Sequence, residues 1–338
     1  MLSISVAALI WLICLRTLST ALDPTLEGTW RDWKATHGKE YPQEEEESFR
    51  RAIWEENLQM VQDHNKEADL GKYTYWLGMN HFGDLTKEEL DQRLRSLLPP
   101  LDNTTKAKGI TFKSSDDPDI PKSVDWRKKG AVTEVKDQGE CAASWAFSAT
   151  GALEGMHFKK TGKLVSLSEQ NLLDCSQGTC DSGWMHIAFD TVINEGGINS
   201  EESYPYDRQK LCCRYKPEES ITRCNSFNWT TAGDEKALQE AVAKIGPISV
   251  GIDARGKKFW LYKSGIYTEC YGEERQINHA VLIVGYKETS KDGGYWIIKN
   301  SLSTLWGEKG YMRLAKGSNQ CAIANYTMYP ISDPEKGM

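Results

Sequence analysis

The sequence lacks several features that would settle its function class directly. It has no internal repeat, no low-complexity block and no zinc-type ladder of paired C-x-x-C motifs, which argues against solenoid folds and structural zinc. Beyond the N-terminal segment no stretch approaches 18 uninterrupted apolar residues, so no transmembrane anchor is expected. Basic residues are in deficit, and the net charge of -7 at pH 7 argues against a nucleic-acid partner. Nothing in the sequence indicates a cofactor or a metal.

The chain does have enough apolar material for a core, because 39% of its 338 residues are hydrophobic and 12 are Trp. Residues 1–21 predict a secretory signal peptide, since an apolar run at 4–15 is followed by small residues at 19–21. Arg16 interrupts this pattern, and a buried helix is the alternative reading of the segment. The eight cysteines that follow are an even number, as in a disulfide framework. We therefore expect secretion to the extracellular space, with lysosomal delivery also open.

Residues 138–156 form the stretch around which the chain is organised, and they read as a loop that runs into a helix. Apolar residues recur there at three- and four-residue spacing, namely Trp145, Ala149, Ala152 and Met156. Ser144 stands where an N-cap belongs. It therefore lies at the positive end of a helix dipole, which stabilises an anionic nucleophile.

The charged segment before residue 116 predicts a long amphipathic helix. Its stripe consists of Glu46, Arg50, Trp54, Asn57, Val61 and Asn65. A second set of spaced residues follows, Gly78, Asn80, Phe82 and Asp84. Residues 97–119 then read as an exposed linker with a processing site before a mature start near Ile120. Three sequons predict glycosylation at Asn103, Asn228 and Asn325.

Helices precede strands in the remaining part, which predicts an α+β fold. A capping box at 166–169 opens one expected helix, and a second runs over 184–195 to a Gly-Gly stop. A third helix is expected near 236–244. Strands are expected at 248–252, where apolar residues alternate as in a half-buried strand, and at 280–286 and 295–299.

The segment Cys141-Ala142-Ala143-Ser144-Trp145 resembles the C-G-S-C-W signature of papain-family cysteine proteases of the cathepsin L type. Ser144 replaces the nucleophilic cysteine. The helical stripe is similar to the E-R-F-N-I-N motif of their propeptides, with Trp54 and Val61 as departures, and 78–84 is similar to the companion G-x-N-x-F-x-D motif. The resemblance implies a papain-like fold with a helical lobe, a β-barrel lobe and a preceding inhibitory propeptide. It places a propeptide and linker at 22–119 and a mature domain at 120–338.

The resemblance also implies site residues. Catalytic roles fall on Gln138 as oxyanion donor, Ser144 as nucleophile, His279 as base and Asn300 as its orienting partner. Substrate-binding roles fall on Gly183, Trp184, Met185, Gly251, Ile277 and Tyr326. Disulfides are implied for Cys141 with Cys180, Cys175 with Cys213, and Cys270 with Cys321. Cys212 and Cys224 remain, either bridged to each other or free, and the adjacent Cys212 and Cys213 could also exchange roles.

Several departures point away from hydrolysis. A serine hydroxyl is far less acidic than a thiol, and Asn300 supplies no negative charge behind the base. Leu302 stands where the family has a Trp that covers the bond between His279 and Asn300, so that bond should be wetter and weaker. Tyr326 should narrow the pocket for the second residue upstream of the scissile bond. A laboratory replacement would also give Ser144, but Leu302 and Tyr326 would not accompany it.

Testins, which are secreted non-peptidase homologues of cathepsin L, carry the same serine, and the chain resembles them in this respect. The leading hypothesis is therefore a secreted, monomeric pseudoenzyme that binds cathepsin-type peptide or protein ligands, cystatin-like inhibitors or cell-surface proteins. One alternative is residual peptidase activity through Ser144 and His279. The other is inhibition of active cathepsins by the propeptide.

Overall fold

The computed structural model describes residues 22–94, 109–115, 117–270, 276–290 and 293–332. Within these ranges no helix is long and apolar enough to cross a bilayer. The predicted signal peptide and the sequon at Asn103 lie outside the described residues.

The N-terminal segment folds into helices with an aromatic core of its own. Its helices are α1 (Glu27–His37), α2 (Glu44–Asp69) and α3 (Lys87–Gln92). Trp30, Trp33 and Trp54 pack together, and the Trp30 and Trp33 rings stack with centroids 5.4 Å apart. The predicted stripe lies on α2, where Asn57 Nδ2 donates to Gly83 O at 2.8 Å. This bond joins the first predicted motif to the second.

The second motif attaches this segment to the rest of the chain. Asn80 Nδ2 donates to Trp260 O at 2.7 Å, and the Phe82 ring lies edge-on to Trp260 with centroids 4.8 Å apart. Asp84 is buried and accepts from Lys39 Nζ at 2.9 Å. Strand β1 (Tyr75–Leu77) pairs antiparallel with β8 (Tyr262–Tyr267), so the segment also contributes a strand to the main sheet.

The described C-terminal residues contain five further α-helices: α4 (Ser144–Thr161), α5 (Glu169–Cys175), α6 (Met185–Glu195), α7 (Glu235–Lys244) and α8 (Lys257–Trp260). Helices α4, α5 and α6 share one buried core that includes Trp145, Leu172 and Phe189. The remaining strands are β2 (Thr111–Phe112), β3 (Ser123–Asp125), β4 (Ile198–Asn199), β5 (Ser220–Thr222), β6 (Ser226–Thr230), β7 (Ile248–Ile252), β9 (His279–Lys287), β10 (Tyr295–Lys299), β11 (Tyr311–Ala315) and β12 (Thr327–Ile331).

One large mixed sheet carries most of these strands, in the order β1-β8-β11-β10-β9-β7-β12-β6-β2, with β3 paired to β9. Strands β4 and β5 form a separate pair. A second core, which includes Ile248, Trp260 and Tyr286, lies with this sheet. The α+β class with a papain-like fold behind a helical propeptide is thus confirmed.

Two local predictions were wrong in detail. Helix α5 begins at Glu169 rather than at a capping box opened by Ser166, because Leu167 pairs with Ser200 and holds the backbone extended. Its cap is Ser168, which accepts from Asn171 N at 2.9 Å. Strand β7 is buried at all five positions rather than at alternate ones, since β9 and β12 flank it and helix α4 packs against it.

Candidate active site

Ser144 lies at the start of α4, but as its first helical residue rather than as the predicted N-cap. Ala143 is the cap, because its carbonyl accepts from Ala146 N at 2.8 Å. The disulfide between Cys141 and Cys180 ties down the loop that leads into the helix. Ser144 is fully buried and still lies in the first turn, where the helix dipole favours negative charge.

His279 and Asn300 are brought together by neighbouring strands. His279 opens β9, and Asn300 directly follows β10, its antiparallel neighbour. His279 Nε2 lies 2.8 Å from Asn300 Oδ1, which also accepts from Ser301 N at 2.8 Å. Because an amide oxygen only accepts, Nε2 carries the proton and Nδ1 is the basic nitrogen. Burial lowers the pKa of His279 to about 4, although the bond to Asn300 acts in the opposite direction.

The hydroxyl of Ser144 is engaged by backbone. Ala280 N donates to Ser144 Oγ at 3.1 Å. His279 Nδ1, the nitrogen that would take the proton of a nucleophile, has no hydrogen-bond partner among the described residues. The hydrogen bond between nucleophile and base that a serine hydrolase needs is therefore not formed in this structure.

Gln138 is fixed from several sides and faces the N-terminal segment. Its Oε1 accepts from Ser301 Oγ at 2.7 Å, and its backbone N donates to Ser301 O at 2.9 Å. Its Nε2 donates to Arg93 O at 3.4 Å, just beyond the end of α3. The Arg93 guanidinium bonds Gly139 O at 3.3 Å and Glu140 Oε1 at 3.0 Å. A carbonyl of the N-terminal segment thus occupies the side-chain donor to which the resemblance assigns the oxyanion role.

The hydrogen bond between His279 and Asn300 is shielded from water, contrary to the expectation that the lack of a Trp at position 302 would expose it. His279 is 0% and Asn300 4% exposed. Leu302 is itself buried, and the Phe259 ring lies edge-on to His279 with centroids 5.9 Å apart. Phe259 in turn contacts the buried Trp306. Aromatic side chains therefore cover the site despite the loss of a Trp at position 302.

Aromatic side chains pack together around Tyr326. Tyr326 is 3% exposed, and its ring lies 4.3 Å from Trp184 and 5.2 Å from Trp229, measured between centroids. Its hydroxyl lies 3.2 Å from His186 Nδ1, and burial raises its pKa well above the ordinary value. Gly251 N donates to Tyr326 O at 2.8 Å. These contacts bring the predicted pocket residues Trp184, Gly251 and Tyr326 together.

The other predicted binding residues lie around this group. Met185 is fully buried at the start of α6, and Ile277 is half-buried just before β9. Gly183 is in tight contact with Trp145, since a Cβ there would lie 2.3 Å from the indole. The polar side of the cleft consists of Gln138, His279, Asn300 and Ser301. The apolar side consists of Trp184, Met185, Gly251 and Tyr326.

The structure forms the three disulfides that the resemblance implies, namely Cys141 with Cys180, Cys175 with Cys213, and Cys270 with Cys321. Cys212 is a free exposed thiol and Cys224 a free buried one, which decides between the two alternatives left open for this pair. Cys175, Glu195 and Cys213 form a cluster of metal-ligand residue types. Both of its sulfurs are in a disulfide, so the cluster does not suit a metal ion.

The two described sequons differ in accessibility. Asn325 is exposed, and its Oδ1 accepts from Asn319 Nδ2 at 2.7 Å. Asn228 is 5% exposed, and its Oδ1 accepts from Ile110 N at 3.0 Å. A glycan on Asn228 is therefore incompatible with this arrangement of residue 110, whereas one on Asn325 is not hindered by burial.

Sequence reasoning missed three contacts that shape the site. They are the donation from Ala280 N to Ser144, the approach of Arg93 O to Gln138, and the partnership of Tyr326 with His186. A backbone donor leaves no mark in a sequence, and residues far apart in the chain with no shared motif give no signal of contact.

Comparison with known proteins accounts for nearly the whole chain. The model of the papain family cysteine proteases matches residues 120–331, and that of the cathepsin propeptide inhibitor domain matches residues 30–90. Human cathepsin L2 is 48% identical over 91% of this chain and 93% of its own length. Rat testin-2 is 46% identical over 95% of this chain and 97% of its own length. The structure of procathepsin L 3 from Tenebrio molitor superposes with a TM-score of 0.83 at 39% identity, covering 91% of this chain and all of that one.

Proposed function

Because the chain belongs to the papain family of cysteine proteases and carries a cathepsin propeptide inhibitor domain, we propose that it is a secreted non-peptidase member that acts by binding. Its ligands would be peptides or proteins that cathepsins also bind. The likeness to testin-2, which is similar over nearly its full length, supports this reading.

The observation that carries the proposal is the environment of Ser144. Its Oγ accepts from Ala280 N, while His279 Nδ1 has no partner among the described residues. A thiol in this place needs only the helix dipole and an imidazolium to become a thiolate. A hydroxyl instead needs direct proton transfer to a base, and the neutral His279 is oriented by an amide rather than by a carboxylate.

The rest of the polar side supports recognition without turnover. Once Arg93 has left, Gln138 Nε2 can donate to a ligand carbonyl, because Ser301 Oγ bonds only the Oε1 atom of Gln138. A peptide carbonyl in this position would accept the same hydrogen bond that Arg93 O now accepts. The frame that stabilises an oxyanion in an active relative would here contribute to ground-state binding.

The test compares three full-length chains: the unmodified protein, Ser144→Cys and Ser144→Ala. Each is treated with an immobilised protease that removes the propeptide and is then filtered away. Hydrolysis of a fluorogenic peptide is measured at acidic and neutral pH, and binding of an uncleavable peptide by fluorescence anisotropy. We expect hydrolysis from Ser144→Cys only, with similar peptide affinity for the unmodified protein and Ser144→Ala.

The other outcomes separate the alternatives. Hydrolysis by the unmodified protein above the level of Ser144→Ala would make it a serine-dependent peptidase. Absence of both hydrolysis and peptide binding in all three proteins would move the partner surface away from the cleft. Either result overturns the proposal.

A second candidate function rests on the N-terminal segment. Its three-Trp core and its hydrogen bonds within the segment give it internal structure, as at Asn57 and Asp84. It would then inhibit active cathepsins in trans after release. The measurement is inhibition of an active cathepsin by the released segment, and a lack of inhibition at micromolar concentration would exclude this role.

The proposal also concerns the lifetime of the propeptide. Without a thiolate at position 144 the chain cannot remove it, so the full-length form should persist when the protein is produced alone. Exclusive recovery of a cleaved form from protease-deficient cells would contradict this expectation.

A further inference from the structure

A free thiol lies next to a disulfide on the surface of the protein. Cys212 is exposed and free, and its chain neighbour Cys213 is bonded to Cys175, the last residue of α5. Cys213 is exposed and Cys175 is half-buried, so the disulfide is accessible to a thiolate. Thiol–disulfide exchange requires a thiol and an accessible disulfide near each other, and this surface holds both.

The loop that carries the two neighbouring cysteines is anchored on either side of them. Leu211 N donates to Asp174 Oδ1 at 2.6 Å, and Arg214 N donates to the Tyr204 hydroxyl at 3.0 Å. The residues between these anchors are exposed and lie outside helices and strands. The loop can therefore shift locally while both of its ends stay in place.

Cys212 lies close enough to replace Cys213 as the partner of Cys175. The Cα atoms of Cys175 and Cys213 are 4.6 Å apart. Neighbouring Cα atoms of a chain lie about 3.8 Å apart, so Cys212 Cα lies within about 8.4 Å of Cys175 Cα. Disulfides join Cα atoms up to about 6.8 Å apart, so a loop shift of at most about 2 Å brings Cys212 into range. A bridge between Cys212 and Cys213 is disfavoured, because about 3.8 Å is shorter than the usual Cα separation.

A carboxyl group lies beside the same disulfide. Glu195, the last residue of α6, has its Oε1 3.6 Å from Cys213 Sγ, and its Oε2 accepts from Asn171 Nδ2 at 3.2 Å. A sulfur in a disulfide carries no proton, so a hydrogen bond to Cys213 forms only when the carboxyl is protonated. Burial favours that form, since it raises the pKa of Glu195 to about 7 against the effect of Asn171. Glu195 can therefore supply a proton to this sulfur at neutral pH.

The remaining cysteines of the described residues lack this arrangement. Cys224 is 3% exposed, and burial raises the pKa of its thiol to about 12, so it forms almost no thiolate. The bridges Cys141–Cys180 and Cys270–Cys321 have no cysteine as a chain neighbour. Exchange is therefore expected only at the bridge beside the exposed thiol.

We propose that Cys175, Glu195, Cys212 and Cys213 form a thiol–disulfide exchange site in which Cys212 and Cys213 alternate as the partner of Cys175. The Cys212 thiolate attacks Cys175 Sγ, so that a bond forms between these sulfurs and the bond from Cys175 to Cys213 breaks. The electron pair of the broken bond stays on Cys213 Sγ, which takes the proton of Glu195. Glu195 then regains from solvent the proton that Cys212 had released. One thiol and one disulfide are present before and after, so no oxidant or reductant is consumed.

The test alkylates the full-length protein with iodoacetamide at concentrations that span about three orders of magnitude. Digestion without reduction and electron-transfer fragmentation then locate the label on Cys212 or Cys213. We expect both products, in a ratio that changes with concentration, because a high concentration traps the thiol before exchange and a low one after it. Label on Cys212 alone overturns the proposal. A constant ratio also overturns it, since it indicates two pairings that do not interconvert.

A variant tests whether Cys212 can form the alternative bridge. In Cys213→Ser we expect a disulfide between Cys175 and Cys212, so that neither is alkylated. Cys180→Ser is the matched control, because it leaves Cys141 without a neighbouring spare thiol, and Cys141 should be alkylated. Alkylation of both Cys175 and Cys212 in Cys213→Ser would contradict the proposal. Labelling of the unmodified protein decides the matter even where a variant does not fold.

Glu195→Gln tests the proton donor. The amide cannot supply an acidic proton, so exchange should slow at least about tenfold, and the ratio should change at a correspondingly lower iodoacetamide concentration. Glu202→Gln is the control, because it removes a carboxylate at an exposed position. If the two variants behave alike, Glu195 is not the proton donor.

Discussion

On the polar side of the cleft Gln138, His279 and Asn300 are held by hydrogen bonds, whereas on the apolar side Tyr326 packs against Trp184 and is 3% exposed. The nucleophile position lies beside both and holds a serine. The two sides therefore differ in what holds them, hydrogen bonds on one and side-chain packing on the other.

The difference follows from how each side is built. The polar residues are fixed by backbone bonds of the sheet and its loops, such as Gln138 N to Ser301 O and Asn300 N to Gly310 O. These bonds also hold the fold together, so they persist whether or not catalysis does. The apolar side depends on the volume of one side chain at position 326, and a single substitution fills it.

The largest expected effect is that of His279→Ala in the Ser144→Cys background. If the polar side is intact, Ser144→Cys relies on His279 to form the thiolate and protonate the leaving group. Removal of the imidazole should then lower kcat/KM by about 10³-fold. His157→Ala, in the same helix as Ser144, is the control and should leave kcat/KM within about threefold. Equal loss in both variants would show that the effect is structural.

The pH dependence of stability tests how buried the polar side is. The folded pKa of His279 is about 4 and its ordinary value 6.5. The unfolded chain therefore binds the proton more readily, and the stability present above pH 6.5 is lost as pH falls toward 4. The loss should reach roughly 3 kcal/mol. Urea unfolding of the full-length chain at pH 7 and pH 4 measures it. His279→Gln should lose that much less stability between these pH values, and an identical loss would contradict the assignment.

Tyr326→Ala tests the apolar side. The truncation should open space beside Gly251 and Trp184. Peptides with a large apolar residue second upstream of the scissile bond should then bind about tenfold more tightly, as expected when part of such a side chain is buried. Tyr326→Phe is the matched control, because it removes only the hydroxyl next to His186 and leaves the ring. A gain in Tyr326→Phe equal to that in Tyr326→Ala would show that ring volume is not what closes the pocket.

The smallest expected effect is that of Ser301→Ala in the Ser144→Cys background. Without the hydroxyl, Gln138 Oε1 lacks the donor that lies 2.7 Å away. The Gln138 side chain, which is the proposed oxyanion donor, is then oriented less well. We expect kcat to fall about threefold to tenfold, in line with one hydrogen bond. Ser303→Ala serves as the control. An equal kcat in the two variants would show that Ser301 does not orient the oxyanion donor.

The sequence predicted the parts of the molecule that are written as local motifs. The helix after Ser144, the stripe on α2 and the approach of His279 to Asn300 follow from spacing and from resemblance to the family. The expectation that water reaches the bond of His279 was wrong. The Phe259 ring packs against His279 and Leu302 is buried, although the Trp of the family is missing at position 302.

Contacts between segments far apart in the chain could not be predicted in this way. The described part of the linker is mostly exposed, as predicted, but nothing in the sequence predicts that Asn228 accepts a hydrogen bond from Ile110 N or that Glu240 accepts one from Ser115 N. Similarly, the volume of Tyr326 suggested a narrowed pocket, but its partner His186 depends on the position of α6 relative to β12. Such pairings are set by the tertiary fold rather than by local propensity.

The most direct test of the central claim is a stoichiometric incubation of the unmodified, propeptide-free protein with a peptide that Ser144→Cys cleaves. After one day the masses of the peptide and of the intact protein are measured by mass spectrometry, with Ser144→Ala treated in parallel. The account predicts intact peptide and an unchanged protein mass in both samples. Cleaved peptide or an acyl adduct on the unmodified protein, absent from Ser144→Ala, would show that Ser144 is a working nucleophile.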